Sequence, residues 1–306
     1  MSSLFAFPGQ GAQQAGMLHQ LPAETADCLQ EASAALGEDV LALDTPEALQ
    51  STRAVQLCLL VAGTACARLL MRRGPAPDYV AGLSIGAYAA AVVAGALDFA
   101  DALRLVSLRG ELMQRAYPQG FGMTAILGLD LASVERLLAD AEGPVFLANI
   151  NAVNQLVIAG SDAAMAAVAE RACAQGACAA KRLAMSVPSH CALLDAPARE
   201  LAAAFAGVEL RRPAIRYLSG STARPIVDPE RLRDDLAFNM CRVIDWHATL
   251  RTAYERGVRL HVEMPPGAVL SGLARRVFEQ GTVIAFQGAR LDTLDALLRQ
   301  EVSRTR

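Results

Sequence analysis

The sequence predicts an α/β protein with two parts. A large domain is built on a parallel sheet flanked by helices, and a smaller α+β subdomain of ferredoxin-like order is inserted into it. Three observations carry this. Gly82-Leu83-Ser84-Ile85-Gly86 stands between a short apolar strand ending at Val80-Ala81 and a helix-compatible run of small residues from Ile85 to Ala94. From Phe121 the order of elements becomes βαββαβ, which continues to about Ser186. The chain is 306 residues long, 53% hydrophobic and 19% charged, enough for a substantial core and unlike a disordered chain. Residues 1–120 and 188–306 are therefore expected to form the large domain, and 121–187 the subdomain.

The strand–turn–helix setting makes the G-x-S-x-G a candidate nucleophile elbow, and the large domain hydrolase-like. Such a turn is too tight for side chains at its flanks, which accounts for Gly82 and Gly86. Gly95 is placed to end the helix. Ser84 would stand at the head of that helix, where N–H groups and the dipole favour a developing oxyanion. The competing reading is an ordinary Gly-Ser turn in an alanine- and glycine-rich chain.

Before the elbow, Leu4 to Phe7 forms a brief strand ending at Pro8, and Gly9-Gln10-Gly11-Ala12-Gln13 follows as a loop. No Gly-Lys-Ser/Thr completes a phosphate loop, so it is either a plain strand-to-helix turn or a place of close backbone approach. Residues 23–36 and 54–71 read as helices, the second buried. Asp98 caps a helix running to Ala116, whose Ala102, Leu105, Val106, Leu112 and Met113 form one apolar arc. Arg109 falls inside that arc. A charge there needs an anion, either a structural carboxylate or the carboxylate of a substrate.

In the subdomain, strands are expected at Phe121–Gly128, Val145–Ile150, Gln155–Ala159 and Cys178–Ser186, with helices at Leu131–Ala141 and Ser161–Gln175. His190 follows at the seam, flanked by Pro188 and small residues, which favours accessibility. It is either a general base for Ser84 or a structural histidine. Beyond it come a helix from Asp195, a mostly extended Val208–Leu218, helices at Leu232–Met240 and Asp245–Arg256, a strand at 259–264 and a helix at 268–278. A polar helix with a basic end closes the chain. His19 and His247 read as solvated side chains.

Composition excludes several classes. The net charge of −3 gives no field for nucleic acid or an anionic membrane, and the 27 arginines against one lysine read as compositional bias. Apolar windows such as 57–67 look too short to span a bilayer, for which about 20 residues are needed. Seven cysteines without a C-x-x-C pair, and no signal-peptide pattern, point to a reduced, cytoplasmic setting. The four histidines show no metal spacing, so no metal is expected.

Taken together, Phe7-Pro8-Gly9-Gln10-Gly11-Ala12-Gln13, the elbow, Leu105-Val-Ser-Leu-Arg109-Gly, Asn149-Ile-Asn151 and Ser186-Val-Pro-Ser-His190 resemble the malonyl-CoA:acyl carrier protein transacylase family. The late Glu263-Met-Pro-Pro-Gly267 is similar too, and the resemblance extends from about Phe5 to Arg276. It implies that Ser84 attacks a malonyl thioester, with His190 as base and the Gln10 and Ile85 N–H groups as oxyanion hole. It also implies that Arg109 holds the malonyl carboxylate, that Asn151 contacts substrate, and that a backbone carbonyl near Asn239 orients the histidine.

Two departures stand out: Leu83 replaces the usual histidine before the nucleophile, and Pro265 a glycine. Leu83-Ser84-Ile85, with Ser219 to Pro225, most resembles the malonyltransferase (epsilon) subunit of malonate decarboxylase. That implies a carrier with a phosphoribosyl-dephospho-CoA arm, and the other decarboxylase subunits as partners. A fatty-acid-synthesis transacylase with a phosphopantetheine-type arm is the alternative. Either way the implied partners are malonyl-CoA and an acyl carrier protein, with no bound cofactor. An α/β serine hydrolase using His247 or His261, and a non-catalytic scaffold subunit, are the rivals from other classes.

Overall fold

The computed structural model describes residues 2–303. The basic end expected of the last helix, at residues 304 and 306, lies outside them. The chain is α/β with two sheets, as expected. At the centre of the larger sheet is β1 (Ser2–Phe7), whose alternating side chains serve two cores: Phe5 and Phe7 face one, Leu4 and Ala6 the other. After α1 (Ala26–Leu36) comes α2 (Thr52–Arg73), started by the Ser51 hydroxyl accepting from the Ala54 N–H. α2 is 22 residues long, so the sequence expectation of runs too short for a membrane is corrected. It is long and apolar enough by composition, yet 89% of its most apolar window is buried inside the protein.

β2 (Tyr79–Gly82) leads into α3 (Gly86–Val93), and Asp98 caps α4 (Phe99–Ala116) by accepting from the Ala100 and Asp101 N–H groups. α4 crosses α2 closely at Gly110, where a Cβ would come within 2.4 Å of the Arg53 Cα. That approach brings Arg109, on the buried face of α4, against Gln56 on α2.

The chain then builds most of the second sheet. It runs through β3 (Phe121–Leu127), α5 (Leu131–Ala139), β4 (Val145–Ala152), β5 (Gln155–Ser161), α6 (Asp162–Ala174) and β6 (Ala179–Arg182). One face packs on α5 and α6 through Ile126, Leu156 and Ile158. The other presents Met123, Ala125 and Val157 toward a cavity. After α7 (Asp195–Ala204), β7 (Arg216–Leu218), β8 (Pro225–Ile226) and α8 (Pro229–Phe238), the short β9 (Ile244–Asp245) pairs parallel with β4. The second sheet thus has the order β6-β3-β5-β4-β9. α9 (Trp246–Glu255), β10 (Val258–Glu263), α10 (Val269–Ala274), β11 (Thr282–Ala285) and α11 (Leu291–Ser303) complete the chain. The larger sheet runs β11-β10-β1-β2-β7-β8, parallel except for the β8 edge.

Three sequence expectations need correction. Of 208–218 only Arg216–Leu218 joins the sheet, because Arg211 and Ala214 donate instead to the Ala96 and Ala94 carbonyls and Pro213 has no N–H to offer. The 178–186 strand is only Ala179–Arg182. β11 was not anticipated. It is a half-exposed edge strand of four residues with no clear alternation.

Candidate active site

The elbow is built by backbone contact. A Cβ at Gly82 would sit 2.0 Å from the Gly86 carbonyl carbon, and one at Gly86 would sit 2.2 Å from the Phe7 oxygen. Only glycine permits the strand and helix to meet this closely. Ser84, between them, is held at φ 56°, in the left-handed region that a side chain adopts at a cost. Its hydroxyl lies at the start of α3, with 8% of the residue exposed.

The loop after β1 closes on the elbow from the other side. A Cβ on Gly9 would meet the Leu83 Cδ2 at 2.7 Å and the Leu83 oxygen at 2.9 Å. Gln13 steadies this loop by accepting from the Gly11 N–H at 2.6 Å. Among the described residues neither the Gln10 nor the Ile85 N–H donates to a backbone acceptor. Two donors are thus left beside Ser84, one from the loop and one from the residue after the serine.

His190 is 3% exposed, so the accessibility expected from its small neighbours is corrected. Its backbone is at φ 65° and its N–H donates to the Met240 carbonyl at 2.6 Å. Its Nδ1 lies 2.7 Å from the Asn239 main-chain oxygen. A carbonyl can only accept, so Nδ1 carries the hydrogen and Nε2 keeps a lone pair. Burial, and then the Arg109 charge, push the imidazole pKa down to about 4. The ring is neutral at physiological pH and can take a proton. Among the described residues no carboxylate stands behind it.

Arg109 is 0% exposed. Its Nη1 donates to Gln56 Oε1 at 2.7 Å, and its Nη2 to Asn239 Oδ1 at 3.1 Å and Ser84 Oγ at 3.3 Å. Its Nε has no partner. Every acceptor is neutral. The structural salt bridge that the sequence left open is absent among the described residues, and burial lowers the guanidinium pKa to about 10. It remains charged at neutral pH, with no counterion.

Ser84, His190, Gln10, Leu83, Asn149 and Asn151 line one cavity of about 240 Å³, with Met113 and Met123 among its apolar walls. The Oδ1 atoms of Asn149 and Asn151 are buried there without a partner. Ile85, Arg109 and Asn239 are not among the cavity's lining residues and lie buried behind the wall. Glu263 is also away from the cavity. Its carboxylate accepts from the Leu270 and Ser271 N–H groups at 2.9 and 2.6 Å, so it caps the helix whose Leu270 and Leu273 form part of the wall.

Sequence reasoning missed Gln56, although a lone amide in the apolar run 54–67 was the available signal. It also left the side chains of Asn149 and Asn239 without roles. The rival histidines are elsewhere. His261 is fully buried, edge-on to Phe278 with ring centroids 5.8 Å apart. His247 lines a separate groove beside Asp245 and Arg251, half-buried rather than solvated. His19 is exposed as expected, 3.3 Å from Asp44.

Comparison with known proteins gives the class first. Residues 4–301 match the acyl transferase domain, and the chain belongs to that family. Particular relatives follow. The chain is 38% identical over 291 residues to the malonyl CoA-acyl carrier protein transacylase of Escherichia coli K12, covering 92% of this chain and 94% of that one. The crystal structure of FabD from Acinetobacter baumannii superposes with a TM-score of 0.90 at 37% identity, covering 98% and 99% of the two chains. A malonyl-transacylase solved in complex with a type II PKS acyl-carrier protein, PlMCAT:AntF, matches with a TM-score of 0.88 at 37% identity, over 93% and 94%.

Proposed function

We propose that this enzyme moves a malonyl group from malonyl-CoA to the thiol of an acyl carrier protein's prosthetic arm, through a malonyl-Ser84 intermediate. The observation that carries the reading is Arg109, a fully buried cation 3.3 Å from Ser84 Oγ with only neutral partners. A substrate carboxylate is the counterion this site lacks, and its planar guanidinium can grip one in two-pronged fashion.

In the proposed sequence Ser84 Oγ attacks the thioester carbon while His190 Nε2 takes its proton. The oxyanion forms against the Gln10 and Ile85 N–H groups. Its collapse breaks the C–S bond, and the departing CoA sulfur recovers the proton from His190. The carrier thiol then gives its proton to His190 and attacks the ester carbon; the bond from that carbon to Ser84 Oγ breaks, and the serine oxygen recovers the proton from His190. Asn239 orients the imidazole through its carbonyl, and Asn149 and Asn151 face the substrate. With a carbonyl rather than a carboxylate behind the histidine, water is activated less, which suits transfer over hydrolysis.

The names of the relatives support a carrier-protein transacylase of the fatty-acid-synthesis kind more than the malonate decarboxylase subunit. The decarboxylase reading rests on Leu83-Ser84-Ile85 and 219–225 alone. A transfer assay against carriers with phosphopantetheine and phosphoribosyl-dephospho-CoA arms separates the two. For the chemistry itself, the protein is incubated with malonyl-CoA and weighed intact. A persistent malonyl adduct, absent in Ser84→Ala, is expected. Rapid free malonate without an adduct would mean a hydrolase, and an adduct surviving Ser84→Ala would overturn the assignment.

A further inference from the structure

Asn239 touches all three members of the site. Its main-chain oxygen takes the His190 Nδ1 hydrogen at 2.7 Å. Its side-chain Oδ1 accepts from Arg109 Nη2 at 3.1 Å, and its Nδ2 donates to the Ser84 carbonyl at 3.2 Å. The residue is 2% exposed, at the end of α8, so the amide has no solvent to turn toward. The side chain thus fixes one prong of the guanidinium relative to the strained elbow.

The neutrality of this amide matters as much as its reach. An aspartate would present an oxygen at the same place and would satisfy the Arg109 charge from within the protein. The site would then need no carboxylate from outside. The amide holds the guanidinium by hydrogen bonding while leaving its charge open.

We propose that the Asn239 side chain is a positioning residue that determines specificity. It aims Arg109 at the acyl group on Ser84 and, by being uncharged, reserves the guanidinium for a substrate carboxylate. The role is independent of its main-chain carbonyl, which any replacement retains. This rests on the malonyl reading given above.

The test compares kcat and KM for malonyl-CoA and acetyl-CoA in wild type, Asn239→Asp and Asn239→Gln, with a thermal melt of each. Asn239→Asp closes an internal ion pair. The malonyl-to-acetyl ratio of kcat/KM should fall about 10²-fold, through a higher KM for malonyl-CoA, while the melting temperature moves little because the ion pair offsets the lost Nδ2 donation to the Ser84 carbonyl. Asn239→Gln keeps the neutral acceptor but displaces it by one methylene. It should give a smaller fall in the malonyl-to-acetyl ratio, and it supplies the decision where the Asp variant does not fold. Variants that lose rate equally on both substrates, or keep the wild-type ratio, overturn the inference. A wild-type protein that forms no malonyl adduct fails the malonyl reading itself, so the two failures are distinguishable.

Discussion

Replacing Arg109 by alanine separates substrate recognition from structural support. The guanidinium makes three hydrogen bonds, to Gln56, Asn239 and Ser84, none of them to a charged group. Truncation leaves the Gln56 and Asn239 acceptors unpaired, at about 1–3 kcal/mol each, but also removes a buried cation with no counterion among the described residues. These effects on the fold oppose one another, so the melting temperature should move little. The malonyl complex has no such compensation. A desolvated carboxylate–guanidinium pair is worth about 2–5 kcal/mol on truncation, a factor of about 30 to 5,000 in kcat/KM. Acetyl-CoA has no carboxylate to lose and escapes an unpaired charge, so its relative rate should rise. Arg109→Lys should restore only part of the malonyl rate, because an ammonium is a point charge without the fork. The assay is initial-rate transfer from both thioesters beside a thermal melt. An unchanged malonyl-to-acetyl ratio, or a large drop in melting temperature with equal losses on both substrates, would refute the reasoning.

Because burial and the Arg109 charge hold the His190 pKa at about 4, the acid limb of kcat/KM should fall near pH 4 rather than 6.5. Arg109→Ala should move it upward, as read from the pH profile on acetyl-CoA, and His190→Ala should cost roughly 10²–10⁴ in transfer rate. His261 is likewise lowered to about 4 by burial, so the unfolded chain binds its proton first. Its contribution is full above pH 6.5 and lost as pH falls toward 4, about 3 kcal/mol in all. His261→Phe should therefore keep transfer activity and lose less stability on acidification than wild type, as measured by denaturant melts at pH 7 and 4.5. Gly86→Ala, with its Cβ 2.2 Å from the Phe7 oxygen, should lose at least about 2 kcal/mol or fail to fold; a stable, active variant would contradict the elbow geometry.

The fold class was legible because its signals are local. The elbow glycines and the Asp98 cap each act within a few residues of where they stand. Ser84, His190, Gln10 and Arg109 could be singled out as candidates because each lies in a distinctive short motif. By contrast β9 is two residues long, and its partner β4 lies about 95 positions earlier, so no periodicity could announce it. The basic loop 208–215 satisfies its backbone through the Ala94 and Ala96 carbonyls, which sequence pattern does not reveal.

The sequence alone determined that a charge sits on an apolar helix face, but left both a structural and a substrate partner open. That question turns on what lies within about 4 Å, and only the folded chain answers it. The close α2–α4 crossing at Gly110 places Gln56 against Arg109, and the turn after α8 places Asn239 there, 130 residues away in sequence. Both are neutral. The same burial that removes water from the guanidinium also shuts His190 from solvent and sets its basicity, reversing the accessible ring its small neighbours suggested. Local pattern specified which groups the site would contain. Desolvation and the identity of distant neighbours, which exist only in the tertiary structure, decided their charge states and left Arg109 without a counterion among the described residues.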